Sequence, residues 1–500
     1  MEDPLLWLGL LLCTAGAAVG LLPIPRRVRL AGLSAGLLIA PVLLAADNWD
    51  AEQVVELRDR PLIAVVALAA AAAIVLLLGL LFRRRPGLLA PLLVAALPFR
   101  VPVELGGDGE PANLLLPLYV LIAAGLVAAW LSVRAGERSG RDEDGGGWLR
   151  WTGPALAVFI AVYALGAGYA DDLSAAVENV AFFFVPFAIL FALLSEVRWD
   201  RSAVRAVVWV LAIEGALFAA IAAGQYATGE LFWNDKVISG NEAHTYFRVN
   251  SLFWDPNILG RYLAVTMVAL AAVVAFGRDR RELIAASGLF VVLLAAVAVT
   301  FSQSSTIALI AGVLVLIATR FGVIIGVVAG VTTTLAVLAS LTLIAGGGLT
   351  DEAEGRSGLI DGGLDIVVDA PFAGTGSGSF PEEFKERFGG GPGIALESHT
   401  EPITVLAEQG AVGFAAYAAL LAVTIGGLLT ATGLALRGRA RGTPLACGLL
   451  AVYAVMVVHS LGYAAFLTDP ITWAVLGLAV AALAPAPLHR KGAAPARLPA

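Results

Sequence analysis

Three stretches of this 500-residue chain place charged side chains at spacings suited to handling an oxyanion. The first is FRVNSLFWDPNILGRYLAV (residues 247–265), where Asp255 and Pro256 have the form of a helix N-cap with proline in the first turn, followed by Asn257. Arg248 lies before that cap and Arg261 in the second turn after it. Placing the Arg261 charge in a membrane helix costs up to ~3 kcal/mol near the centre and less near an interface. Two arginines bracketing a helix N-terminus suit an anion, because the free N–H groups and the helix dipole attract negative charge as well. A side chain snorkelling to lipid headgroups is the other account of Arg261, and the residues leave both open.

The second stretch is GRSGLIDGGLDIVVDAPFAGTGSGSF (355–380). Leu359, Leu364, Ile366 and Val367 fit one side of a short amphipathic helix at a membrane interface. Gly374 and Gly376 could form a nest of backbone N–H groups around an oxyanion, although glycine runs also make plain turns. Arg356, taken alone, reads as a solvated loop charge. In the third stretch, SHTEPITVLAEQGAVGFAAY (398–417), Thr400 can cap a helix that begins at Glu401 and Pro402, carries Glu408 and stops at Gly410. His399 stands just before that helix, where it is either a general base near neutral pH or an inert loop histidine. Glu214, inside VLAIEGALFAA, is a functional candidate by its depth, with a paired carboxyl in a helix contact as the plainer account.

No GxxxxGK[ST] loop, GxGxxG turn or HExxH pair is present, which leaves group transfer from an already activated substrate. No cofactor and no metal are expected. The two cysteines, Cys13 and Cys447, lie in apolar runs and give neither a disulfide framework nor a CxxC site. Hydrophobic residues are 59% of the chain and charged residues 14%. Soluble domains carry roughly a quarter charged residues, so a polytopic membrane protein is expected, with nothing in the net charge of −7 that suggests nucleic acid.

A crossing needs about 20 apolar residues. On that criterion helices fall near 5–22, 28–46, 62–82, 113–131, 154–169, 178–194, 203–223, 257–276, 283–300, 305–319, 321–345, 411–436, 443–465 and 470–486. The short run 88–98 is doubtful, so the expected fold is all-α with about 14–15 transmembrane helices. The N-terminal run lacks a basic n-region and is expected to be a retained helix. Basic connections at 23–29, 82–86, 134–150, 277–282, 437–442 and 489–492 alternate with acidic or neutral ones at 47–56, 104–111, 169–174 and 467–470. The alternation holds throughout only if 88–98 crosses, and it predicts an outside N-terminus and an inside C-terminus. The expected organisation is N-terminal helices over 1–223, an outer loop over 224–256 and central helices over 257–345. A large extracytoplasmic loop over 346–410, C-terminal helices over 411–486 and a cytoplasmic tail over 487–500 follow.

The order of these stretches resembles the O-antigen ligase and Wzy-type polymerase superfamily of bacterial surface-glycan enzymes. An outer-loop Arg leads into F-x-D-P-N at a helix start, then a helix pair around FSQSS (301–305), R-x-x-L…P-F-x-G-x-G in a long loop, and S-H-T…L-A-E-Q-G-A-V-G opening the next helix. The likeness is strongest over 245–435 and weaker through YADDLSAAVENVAFFFVPFAILFALL and the HSLGY helix. It implies a GT-C-like, metal-independent membrane glycosyltransferase of the cytoplasmic membrane. Such an enzyme moves glycan from an undecaprenyl-diphosphate-linked oligosaccharide to a glycan, lipid or protein acceptor on the outer face. By motif, Arg248 and Arg356 bind the donor diphosphate, and His399 deprotonates or orients the acceptor hydroxyl. Asp255, Pro256, Asn257, Gly374, Gly376 and Glu408 support them. The chain departs from the family where Ser-Arg-Gly usually follows the FSQSS position: it has Ser305, Thr306 and Ile307, leaving Arg261 as the candidate replacement cation. It also has Thr400 where Asn usually follows the histidine.

A transporter or flippase of lipid-linked glycan is the alternative, and it predicts dependence on Glu214 rather than His399. A non-catalytic scaffold would leave the arginines and His399 without a role. No internal repeat is visible, which counts against a transporter.

Overall fold

A computed structural model describes residues 3–103, 112–137, 147–243, 246–344, 350–389, 398–436 and 443–483. The first half is built from helices α1 (Asp3–Leu21), α2 (Arg26–Asp47), α3 (Glu52–Asp59), α4 (Pro61–Arg84), α5 (Leu89–Ala96), α6 (Leu116–Arg134), α7 (Thr152–Gly166), α8 (Leu173–Asn179), α9 (Val185–Glu196) and α10 (Arg201–Thr228). The second half holds α11 (Asp235–Ala243), α12 (Pro256–Phe276), α13 (Arg280–Ala298), α14 (Gln303–Phe321), α15 (Val323–Ile344), α16 (Thr350–Asp369), α17 (Phe380–Phe388), α18 (Glu401–Leu436), α19 (Thr443–Ser460) and α20 (Pro470–Ala482). One short antiparallel ladder, β1 (Val101–Val103) with β2 (Ala112–Leu114), is the only strand pairing among the described residues.

The chain is a helical, multi-pass membrane protein: among the described residues, 11 helices are long and apolar enough to cross a membrane. Four shorter apolar helices, Pro86–Ala96, Val323–Thr333, Pro444–Ser460 and Pro470–Ala482, accompany them. Short polar side chains set the helix starts. Asp200, Asp255, Asp279, Ser302 and Asp469 each accept a backbone N–H in the first turn that follows. Between α8 and α9 a π-turn (Val180–Phe184) loosens the backbone, and the Tyr119 hydroxyl donates to the Phe182 carbonyl at 2.8 Å. The span Leu173–Glu196 is 83% buried against 11% for Pro61–Arg84, so the former is the hub of the bundle and the latter faces outward.

The loops sort into two ends. Arg26 and Arg29 clamp Glu196 at 2.7 and 2.8 Å, and Arg83 meets Glu137 at 2.9 Å; these define a basic end. At the other, acidic end the Ser174 hydroxyl donates to Asp47 at 2.9 Å, and Tyr169 reaches the Ala373 carbonyl.

The run 88–98 is resolved in an intermediate form. Helix α5 has 8 residues, about 12 Å of rise, well short of a ~30 Å hydrocarbon core. The chain then bends at Leu97 and Pro98 and enters the short strand β1.

The expected helix over 443–465 stops earlier, at Ser460. Gly462 and Tyr463 both donate backbone N–H groups to the His459 carbonyl at 3.0 Å, which turns the chain toward Asp469.

Candidate functional site

At the acidic end, the N-terminus of α12 is the hub of a buried polar chain. Asp255 Oδ1 accepts the Asn257 N–H at 2.6 Å, and Pro256 occupies the first turn. Asn257 Oδ1 accepts from the Ser302 hydroxyl at 2.7 Å, Ser302 Oγ lies 2.8 Å from Ser305 Oγ, and Ser305 Oγ lies 3.1 Å from His459 Nε2. Gly260 permits this approach, since a β-carbon there would collide with Ser305 Oγ. Ser305 is 0% exposed between α12 and α19, whereas Thr306 and Ile307 beside it are exposed.

Arg261 does not snorkel. It is 1% exposed and ion-paired with Asp469, the N-cap of α20, while its Nη1 donates to the Ala465 carbonyl at 3.2 Å. The ring of Tyr463 lies 5.8 Å from the guanidinium carbon. Glu401, the first residue of α18, accepts the Phe466 N–H at 3.0 Å, so the turn between α19 and α20 joins α12 to α18. Arg100 lies within electrostatic reach of Asp469, Arg261, Tyr463 and Tyr119.

Arg248 is fixed on both sides. The Asn241 side chain brackets its backbone, accepting the Arg248 N–H at 2.9 Å and donating to the Arg248 carbonyl at 3.0 Å. Its Nε donates to the Thr300 carbonyl at 3.1 Å, while Nη2 is buried without a hydrogen-bond partner among the described residues. A guanidinium so held keeps donors for which the described residues provide no acceptor.

His399 adopts φ +60°, a left-handed backbone that costs a non-glycine residue about 1–2 kcal/mol. The other positive-φ non-glycine residues among those described are Asn234, Ser251 and Phe301, all on acidic-end loops. Such strain collects where surrounding structure over-determines a functional loop. Ser398 braces the turn, its hydroxyl 2.8 Å from that of Thr404 and accepting the Thr400 N–H at 3.3 Å. The helix that follows kinks at Gly410, φ +59°.

The glycine stretch does not form an open anion nest. Thr375 and Gly376 donate their N–H groups to the Ala407 and Glu408 carbonyls at 2.9 Å, and the Glu408 carboxylate accepts from Phe380 N at 3.4 Å. These donors are spent on the kinked end of the Glu401–Gly410 helix, where Glu408 lies about two turns along α18. Gly374 and Gly376 have φ +73° and +114°, and β-carbons on them would strike the Glu408 and Ala170 backbones. Gly376→Ala is accordingly expected to lower the unfolding midpoint by the equivalent of about 1–3 kcal/mol, read by thermal unfolding in detergent. In α16 the apolar positions part company: Ile366 is buried against Phe380, Phe384 and Ala407, with Leu359 and Val367 packed on them, whereas Leu364 stays exposed.

Arg356 falls within the backbone of α16, and its side chain lies outside the described residues. Glu214 is buried and accepts a hydrogen bond from the Tyr262 hydroxyl, joining α10 to α12. Among the described residues no cluster of His, Cys, Asp or Glu could hold a metal ion. Neither a protein-family model nor a curated protein matches this chain.

Sequence reasoning missed Asp469, Arg100, Glu401 and His459 as members of this group. A signal for Asp469 was present: Asp469–Pro470 repeats the Asp255–Pro256 form of helix start. Nothing local marks Arg100 beyond its position after a run too short to span.

Proposed function

We propose that this chain is an O-antigen ligase-like membrane glycosyltransferase, moving or polymerising glycan from an undecaprenyl-diphosphate-linked donor. What supports the proposal is that one end of the bundle carries a buried Arg261 near the start of α12, a pinned Arg248 whose buried Nη2 has no partner among the described residues, and a strained His399 just before α18. By the positive-inside rule the acidic end faces outward, toward the extracytoplasmic side of the cytoplasmic membrane. His399 takes the proton of an acceptor hydroxyl as its oxygen bonds to the anomeric carbon, and the bond from that carbon to the phosphate oxygen breaks. Charge developing on the leaving diphosphate is stabilised by Arg248, Arg261 and Arg356 in a poorly hydrated site. No cofactor is required, since the donor is already activated.

The test uses the full chain in lipid with a fluorescent undecaprenyl-diphosphate oligosaccharide and added acceptor, comparing wild type, His399→Ala and Glu214→Gln. Transfer by wild type and Glu214→Gln but not by His399→Ala is expected, because Glu214 is engaged in a helix contact with Tyr262. Transfer undiminished in His399→Ala would sink the reading. Lipid flipping that depends on Glu214, with no transfer, would make the chain a transporter.

A further inference from the structure

We propose that the part-exposed ring pair Tyr246–Phe301 is a sugar subsite, on which the first sugar ring of a lipid-linked glycan stacks beside Arg248. That the ligand is a glycan carried on a lipid diphosphate rests on the transferase reading above. The place of the subsite and its preference for a ring rest on the following geometry.

Two acidic-end segments lie side by side, one before α12 and one between α13 and α14. Val249 donates its N–H to the Val299 carbonyl at 3.2 Å, and Arg248 Nε donates to the Thr300 carbonyl at 3.1 Å. Further along both segments the rings of Tyr246 and Phe301 meet, with centroids 4.6 Å apart and planes inclined by 32°. The carbonyl that Arg248 holds belongs to the peptide group joining Thr300 to Phe301, so guanidinium and ring share one short stretch of backbone. Arg248 Nη2 is buried without a hydrogen-bond partner among the described residues, whereas Phe301 is 41% exposed and Tyr246 is half-buried. An idle donor for an oxyanion thus neighbours an open aromatic face. A glycosyl phosphate has the matching form, since its anionic group is bonded directly to the anomeric carbon of a ring. The faces of such a ring carry polarised C–H bonds, which the negative face of an aromatic side chain attracts.

Packing does not account for the conformation of Phe301. Its φ is +51°, a region disfavoured for any side chain and open to glycine without cost. The turn closes through backbone alone, because Thr300 and Phe301 donate their N–H groups to the Val297 and Ala298 carbonyls at 3.1 and 3.2 Å. A phenylalanine kept for the core would be buried. One kept only as an interfacial belt residue would need no left-handed backbone. A strained residue that presents a ring beside an unsatisfied cation fits a ligand contact.

The experiment measures, by native mass spectrometry of the full chain in detergent, the binding of two lipids: undecaprenyl diphosphate bearing an oligosaccharide, and bare undecaprenyl diphosphate. Wild type is expected to bind the sugar-bearing lipid roughly 3- to 10-fold more tightly, the worth of one ring stack. Phe301→Leu stays apolar and keeps the backbone strain; it is expected to lose this preference while binding the bare lipid as wild type does. Phe301→Trp, which restores an aromatic face, is expected to keep the preference. Absence of a preference in wild type, its survival in Phe301→Leu, or equal weakening of both lipids by that variant overturns the subsite. Should Phe301→Leu not fold, Tyr246→Leu is read in the same way, and a full preference there overturns it. Transfer from a labelled donor is scored separately. Transfer whose KM is unchanged in Phe301→Leu removes the subsite and leaves the transferase. A preference lost in Phe301→Leu, with no transfer by wild type, leaves the subsite and removes the transferase.

Discussion

Arg261→Met is expected to destabilise the protein by about 3–5 kcal/mol, because it strands the Asp469 carboxylate, 2% exposed, without its counter-charge. The penalty of a broken buried pair is mostly the desolvation of the partner left behind. The double variant Arg261→Met/Asp469→Asn should therefore recover most of the loss, since a neutral asparagine still accepts the Ile471 N–H and a methionine fills the arginine stem's volume. Unfolding midpoints in one detergent, with the monodisperse fraction after purification, measure both steps. A double variant no more stable than Arg261→Met would show that the pair matters through something other than its charges. Under the proposed function the double variant folds yet transfers no glycan, which separates a structural arginine from one that also meets substrate.

His399→Gly is expected to match or exceed wild-type stability while losing roughly 10²–10⁴-fold in transfer rate, the usual contribution of a positioned general base. The physical basis is the φ of +60° at His399. Glycine occupies that region without the side-chain clash worth about 1–2 kcal/mol, so the backbone strain is relieved as the imidazole is removed. A residue kept for folding alone would lose stability when deleted; one kept for chemistry at a conformational cost gains it. His399→Ala separates the imidazole from the backbone effect, since alanine retains the strain. Full transfer by the glycine variant would end the general-base role, and a large fall in its midpoint would make His399 a structural residue.

Much of the local structure was legible in the residues. Asp255–Pro256 starts α12 as a capped helix, Glu401 and Pro402 open α18, and Gly410 breaks it, each because the backbone requirement is local. Gly374 and Gly376 read from sequence as either an anion nest or a plain turn, and the sequence does not show the partner that takes up these N–H groups. Their N–H environment depends on where the end of the Glu401–Gly410 segment lies, and no local rule supplies that. The run 88–98 is ambiguous in sequence for a real reason: its helix has only 8 residues, too few to span a bilayer alone, and the chain bends before the short strand β1.

The sequence by itself determined the membrane class, the places where most helices begin, and the three stretches that carry arginine, histidine and glycine. Only the tertiary structure decided which way those side chains face. In a soluble helix the contrast between polar and apolar faces fixes rotation, whereas α12 is apolar nearly all round and 61% buried over its spanning window. Its rotation is set by neighbours, with Tyr262 turned to Glu214 on α10 and Arg261 to Asp469 on α20. Two residues adjacent in sequence thus serve opposite contacts. The charge that a membrane helix can least tolerate alone is accommodated by a carboxylate from the far end of the chain, a pairing that exists only once the bundle has closed.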